Sequence, residues 1–403
     1  MTLTSDRPAP AGEGPPCRQQ GSTESRPAEG RPETPFLLVD PERVRRNIAR
    51  LRSRLARSGT PLRPHVKTAK SLAVARLLFD GEPGPITVST LREAEVFAAH
   101  GYTDILYAVG LAPQKLDRVV ALRRAGVDLQ VLIDSVAQAE AVAAVSTRTG
   151  VSVPALIEID CDGHRGGLRP DDPAAVRIAG TLERGGAEAR GVLLHAGGSY
   201  HCRSREELVA AAENERASAV RAVELLRAAG FAVPVVSVGS TPTAHSAADL
   251  TGVTEVRAGN FVFFDLVMAG IGVCTVDDLA MSVVVTVIGH QPERGWIVTD
   301  GGWMATSRDR GTSVQPVDQG YGLVARLDGP HYPDLLMTDA SQEHGILTVR
   351  PGSHGTLPDL PVGTRVRILP IHACATAAQH DEYLVLDPAT GAATEIWPRL
   401  RGW

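Results

Sequence analysis

Leu62-Arg63-Pro64-His65-Val66-Lys67-Thr68-Ala69-Lys70 decides the fold, because it ends a short strand on a lysine at a turn, and the same pattern of strand followed by turn recurs seven times before residue 270. Short apolar runs at 86–88, 105–108 and 129–133 each precede an Ala/Arg/Glu-rich helical pattern, over 91–100, 114–125 and 137–148. Further strand-like runs follow at 155–159, 191–195, 235–238 and 255–258. Strands alternating with helices at this spacing predict a parallel α/β sheet, and eight of them over about 230 residues predict a closed TIM-type (β/α)8 barrel.

The flanks read differently. Residues 1–32 are crowded with Pro, Gly, Ser, Arg and Glu, which predicts a disordered tail without the apolar region of a secretory signal. Order is expected from Thr34-Pro35-Phe36-Leu37-Leu38-Val39-Asp40, where Asp40 and Pro41 suit the N-cap and first position of a helix, so 33–275 is assigned to the barrel unit. Beyond it, strand-like runs at 281–288, 295–299, 322–326, 345–349, 365–369 and 383–386, separated by Gly/Pro/Asp turns, predict an antiparallel β domain over 276–403.

At 403 residues and 43% hydrophobic, the chain can bury a large core. No apolar run approaches a membrane span, and a net charge of −5 without a Lys/Arg block gives neither nucleic acid nor an anionic membrane a footing. The five cysteines, Cys17, Cys161, Cys202, Cys274 and Cys374, are odd in number and scattered, which argues against a disulfide framework and for a reduced, cytoplasmic setting.

In such a barrel the reacting groups sit at the C-terminal ends of the strands. Lys67 follows the first strand, the 158–167 segment with Arg165 the fifth, and His195 to Tyr200 the sixth; Gly239-Ser240-Thr241 follows the seventh, and Arg257, Gly259 and Asn260 close the eighth. A lysine at this rim, near other positive charge, can form a Schiff base with an aldehyde cofactor. Small turns with hydroxyls or bare backbone at the last two strands suit a phosphate, so the set describes pyridoxal 5′-phosphate held between Lys67 and the far rim. In the β domain, His372 and Cys374 lie two apart, and in a strand they would share a face and bind one divalent ion, Zn²⁺ first. Asp300 to Trp303 and Gln342 to Gly345 read as turns, and Ser307 to Gly311 as a solvated loop.

These motifs together resemble the fold-type III pyridoxal-phosphate enzymes, with an alanine racemase-like barrel and a metal-binding β domain, and among them the D-serine dehydratase/D-threonine aldolase group. The resemblance runs over residues 34–400. Arg63 to Thr68 looks like the group's cofactor-lysine motif, Gly163-His164-Arg165-Gly166-Gly167 like the segment whose Arg meets the phenolic oxygen, and His195 to Tyr200 like its His-Ala-Gly-x-Ser-Tyr stretch. Gly239 to Thr243 with Gly259-Asn260 resembles the phosphate cradle, and Glu343-His344-Gly345 with His372-Ala373-Cys374 the C-terminal metal signature. Two departures stand out: Ala69 where members commonly carry His, and Arg257 where alanine racemases set an Arg against the ring nitrogen.

The resemblance implies a homodimeric lyase using pyridoxal 5′-phosphate and Zn²⁺, with Mn²⁺ or Mg²⁺ as alternatives. Lys67 would anchor the cofactor and take the α-proton of a D-3-hydroxy amino acid, and His372 and Cys374 would hold the ion that assists loss of the 3-hydroxyl. The products would be a 2-oxo acid and ammonia. His-x-Cys favours this outcome over D-threonine aldolase-type cleavage to glycine and an aldehyde. A racemase would need a second base that no matching motif supplies, and a non-catalytic cofactor carrier would need no metal.

Overall fold

The computed structural model describes residues 23–28, 32–387 and 393–403. Within them the eight predicted strands form one parallel sheet: Leu62–Pro64, Ile86–Val88, Asp104–Gly110, Asp128–Ile133, Pro154–Ile159, Glu188–Leu194, Val235–Val238 and Glu255–Ala258. The eighth strand returns to the first, pairing Arg257 with Arg63. The ring closes between first and second strands at a bridge from His65 to Thr87, where the Val66 N–H donates to Thr87 O at 2.9 Å. Closure therefore falls on the residues just before Lys67 and fixes the backbone from which it projects.

The intervening helices start where their caps dictate. Asp40 accepts the Glu42 and Arg43 amides, both at 3.0 Å, to begin Pro41–Ala56, and Ser135 with Gln138 forms a reciprocal capping box for Val136–Thr149. Inside the barrel, Leu106, Leu132, Leu156 and Leu193 form an apolar layer. Also inside the barrel, buried charge is paired: Arg63 bridges Asp104 and Glu255, both at 2.7 Å, and Ser237 donates to Glu255 at 2.6 Å.

Among the described residues the second sheet has ten strands and is mostly antiparallel, with Met281–Gln291 pairing Trp296–Thr299, Arg365–Pro370 and Phe36–Val39. Phe36–Val39 thus departs from the expected barrel unit of 33–275. Its buried residues need hydrogen-bond partners on both edges, which a closed barrel cannot offer and the second sheet does, between Met281–Gln291 and Glu382–Leu386. Of the predicted tail, residues 1–22 and 29–31 lie outside the described residues. Arg26–Pro27 departs from that expectation, pairing with Ile396 and Glu395 through backbone groups that composition does not reveal. Two more strands, His331–Ala340 and Ala393–Pro398, escaped the sequence reading. The first carries Pro333 and Asp334, which read as a turn, and in the fold Asp334 takes a φ of 53° and the register shifts between Met337 and Asp339. Among the described residues no helix is long and apolar enough to cross a membrane.

Candidate active site

A cavity of about 210 Å³ opens at the C-terminal rim of the barrel, lined by Lys67, Arg165, His195, Tyr200, Gly239, Ser240, Thr241, Arg257, Gly259, Asn260, His372 and Cys374, whereas Glu343 and His344 of the expected metal signature are not among its lining residues. Lys67 stands in it with its amine free of any hydrogen bond or ion pair among the described residues. Its enclosure lowers the amine's pKa, Arg165 and Arg257 lower it further, and Cys374 opposes them. Lys70, the second cation of the same stretch, turns away: its amine pairs with the buried carboxylate of Glu93 at 2.9 Å. Burial, followed by the charge of Lys67, pushes His195 down to about 3, and the same two causes hold His65 well below its ordinary value. Both rings are neutral, and His195 Nδ1 donates to Gly239 O at 3.1 Å.

Arg257 enters from the eighth strand, 4% exposed, donating to Ser237 Oγ at 2.6 Å and Leu194 O at 2.5 Å. Burial lowers it only to about 10, so it stays cationic. Arg165 pairs with Glu158 at 3.2 Å and keeps 57% of its side chain exposed, free to meet a ligand.

Opposite Lys67, Ser240 caps the short helix Thr241–Ser246 and exchanges a hydrogen bond with Ser199 at 2.9 Å. The Tyr200 hydroxyl meets the Thr241 amide, and burial pushes its pKa up. Thr241 Oγ1 is buried with no partner, a hydroxyl donor that fits a phosphate oxygen. Two glycines keep the wall open: at Gly239, with φ +132°, a Cβ would lie 2.2 Å from Arg257 O, and at Gly259 it would lie 2.8 Å from His65 O.

His372 and Cys374 reach the same cavity from the second sheet, but not from a strand. The strand ends at Pro370, His372 is the extended N-cap of the helix Ala373–Ala377, and Cys374 lies in its first turn. His372 Nδ1 bonds Asp309 Oδ2 at 2.6 Å, which leaves Nε2 for the Cys374 thiol, and Thr68 Oγ1 lies 3.2 Å from that sulfur, one residue from Lys67. Burial opposes a charged His372, yet Asp309 and Cys374 together raise it to about 11; burial likewise opposes a thiolate, yet His372 and Lys67 lower Cys374. An imidazole and a thiolate backed by a carboxylate form a donor set suited to a soft or borderline divalent ion. Among the described residues no third His, Cys, Asp or Glu joins them, so further ligands would come from water or substrate.

Two family descriptions match the chain: alanine racemase, N-terminal domain, over residues 39–267, and putative serine dehydratase domain over 280–386. The chain is 52% identical over 374 residues to D-threo-3-hydroxyaspartate dehydratase of Delftia sp. (strain HT23), covering 92% of this chain and 98% of that one. The solved structure of that enzyme superposes with a TM-score of 0.89. The chain is a fold-type III pyridoxal-phosphate enzyme of the D-serine dehydratase/D-threonine aldolase family. Within the family it is 28% identical over 376 residues to D-serine dehydratase of Dictyostelium discoideum, covering 88% of this chain and 93% of that one. The solved D-threonine aldolase of Filomicrobium marinum shares 26% identity and a TM-score of 0.75, over 91% and 95% of the two chains.

Three buried or half-buried carboxylates hold this family site together, and the sequence reading missed all three. Asp309, expected in a solvated loop, instead orients His372. Asp265 is 1% exposed and accepts from Asn260 Nδ2 at 2.5 Å and from the Ala373 amide at 2.9 Å, tying the eighth strand's turn to the His372 helix. Glu215, 2% exposed on the helix Arg205–Ala228, accepts the amides of Ala196 at 2.9 Å and Gly239 at 3.0 Å, joining the turns of the sixth and seventh strands. Each lies 19 or more residues from at least one partner, so no local motif marks it. The weak signal was an acid inside an apolar helical face, at Glu215.

Proposed function

We propose that the protein eliminates water from a D-3-hydroxy amino acid, giving a 2-oxo acid and ammonia, with a 3-hydroxyaspartate-type dicarboxylate as the preferred substrate. The observation that carries this reading is the pair His372–Cys374, backed by Asp309, in the same cavity as the free amine of Lys67. Identity to a relative named as a D-threo-3-hydroxyaspartate dehydratase supports it, as does the charge of the lining: Lys67, Arg165 and Arg257, with no carboxylate among the described lining residues, suits an anionic cofactor together with a doubly anionic substrate.

Lys67 would hold pyridoxal 5′-phosphate, with Thr241, Tyr200, Ser240 and the backbone at Gly239, Gly259 and Asn260 around its phosphate, Arg165 at its phenolic oxygen, His195 beside its ring and Arg257 at its ring nitrogen. Bound there, the cofactor supplies an electron sink for charge at the substrate's Cα. Lys67 Nζ, its pKa lowered by enclosure, takes the Cα proton. Arg257 stays charged, and with the cofactor bound it would keep the ring nitrogen unprotonated, weaken the sink and make help to the leaving hydroxide more important. A divalent ion on His372 and Cys374, Zn²⁺ by the softness of the thiolate, would supply that help as a Lewis acid. The structures of the Delftia relative include a variant described as metal-free, which accords with a metal in that enzyme.

The test is product analysis. With purified protein, pyridoxal 5′-phosphate and Zn²⁺, D-threo-3-hydroxyaspartate is expected to give oxaloacetate and ammonia, faster than D-serine or D-threonine is turned over. Glycine with glyoxylate, and neither oxaloacetate nor ammonia, would overturn the reading in favour of aldol cleavage.

A further inference from the structure

Five arginines, Arg50, Arg54, Arg57, Arg203 and Arg205, line a second cavity of about 610 Å³, between the helices Pro41–Ala56 and Arg205–Ala228. Three of them, Arg54, Arg57 and Arg205, also line an adjoining cavity of about 360 Å³. Among the described residues only Arg50 has a carboxylate ion-pair partner, Asp278 at 3.0 Å. Arg54 donates to Ala247 O at 2.9 Å and Arg203 to Val314 O at 3.2 Å, while Arg57 and Arg205 have no hydrogen bond or ion pair among the described residues.

This arrangement is costly by itself. Arg54 is half-buried, and both burial and the charges of Arg205 and Arg57 disfavour its guanidinium, so the three lie within electrostatic reach of one another. Elsewhere the fold pairs its gathered arginines: Arg63 with two carboxylates, Arg190 with Asp128 and Glu188. A chain of net charge −5 has acids to spare, yet among the described residues only Asp278 forms an ion pair with any of these five; Glu206 lies near enough to Arg205 to feel its charge, and Glu207 takes the Arg203 amide at 2.6 Å, without pairing with a guanidinium. Guanidinium groups present forked donors to phosphate and carboxylate oxygens. At the same cavity, His245 donates Nδ1 to Thr241 O at 2.8 Å and leaves Nε2 buried without a partner, an acceptor for a ligand hydroxyl or water.

We propose that this cavity is a second binding site, for a small polyanion of the diphosphate class, separate from the cavity at Lys67. Its volume exceeds what one phosphate fills, and several guanidiniums disposed around it match an anion with more than one charged group.

Titration calorimetry with pyrophosphate on the holoenzyme, saturated with pyridoxal 5′-phosphate so that the first phosphate site is filled, tests this. Sulfate at matched ionic strength is the control, and the double variant Arg57→Gln/Arg205→Gln, at exposed positions outside the catalytic cavity, is run in parallel, so that any chelation of metal affects both proteins alike. Saturable binding of one pyrophosphate per chain is expected, weakened by roughly tenfold for each guanidinium removed. Each single variant, with its fold checked by circular dichroism, guards against a misfolded double variant. Equal binding by the variants, or none beyond the sulfate control, overturns the site. So does dissociation of an oligomer by Arg57→Glu/Arg205→Glu without any pyrophosphate binding to the wild type, since the arginines would then serve a contact between copies of the chain.

Discussion

Removing the carboxylate of Glu215 isolates what holds two walls of the active site together. A single oxygen, Oε1, accepts both the Ala196 amide, next to His195, and the Gly239 amide, at the start of the phosphate-type turn. In Glu215→Ala both N–H groups become buried donors without a partner, at about 1–3 kcal/mol each, so the expected loss is about 2–6 kcal/mol before any cavity cost. Glu215→Gln keeps an oxygen in the same place. Burial already raises the carboxyl's pKa, so the negative charge itself contributes little and the amide should cost far less. The assays are denaturant unfolding of both variants and spectroscopic titration of apoprotein with pyridoxal 5′-phosphate. Glu215→Ala should lose stability and bind cofactor more weakly because its cradle is no longer fixed, with Glu215→Gln near the wild type in both. If Glu215→Ala retains both, the clamp does not operate; if Glu215→Gln is as damaged as Glu215→Ala, the role of Glu215 is its charge opposite Arg257 and not its hydrogen bonds.

Two further outcomes are expected. Asp309→Ala should weaken Zn²⁺ binding by about 10–100-fold, measured by competition with a chelating dye, while cofactor titration stays unchanged, because only the orientation of His372 is lost; equal metal affinity would show that Asp309 does not support the ligand. Stability should fall as pH drops below 6.5, because His195 and His245 are held neutral, down to about 3 and about 4, while the unfolded chain takes up protons at its ordinary value near 6.5. Each contributes a slope of about 1.4 kcal/mol per pH unit within its window. His245→Gln should therefore flatten the pH dependence of unfolding between pH 6.5 and 4, and an undiminished slope would refute its buried neutrality.

The sequence by itself determined the barrel and which rim residues meet. Strand and helix periodicities are local, each βα unit carries its own turn signal, and parallel strands in a closed ring must present their C-terminal ends on one face; hence Lys67, Arg165, His195, Gly239 and Asn260 could be gathered before any coordinates. Tertiary structure decided what locality cannot encode. Phe36–Val39 went to the sheet able to bond both its edges, Lys70 turned to Glu93, and His372 and Cys374 met Lys67 from a helix start and not from a strand. Tertiary structure also chose the acids. Glu215, Asp265 and Asp309 became the clamps of the site because burial leaves a polar group only the partners that folding brings within about 3 Å, and those partners are remote in the chain.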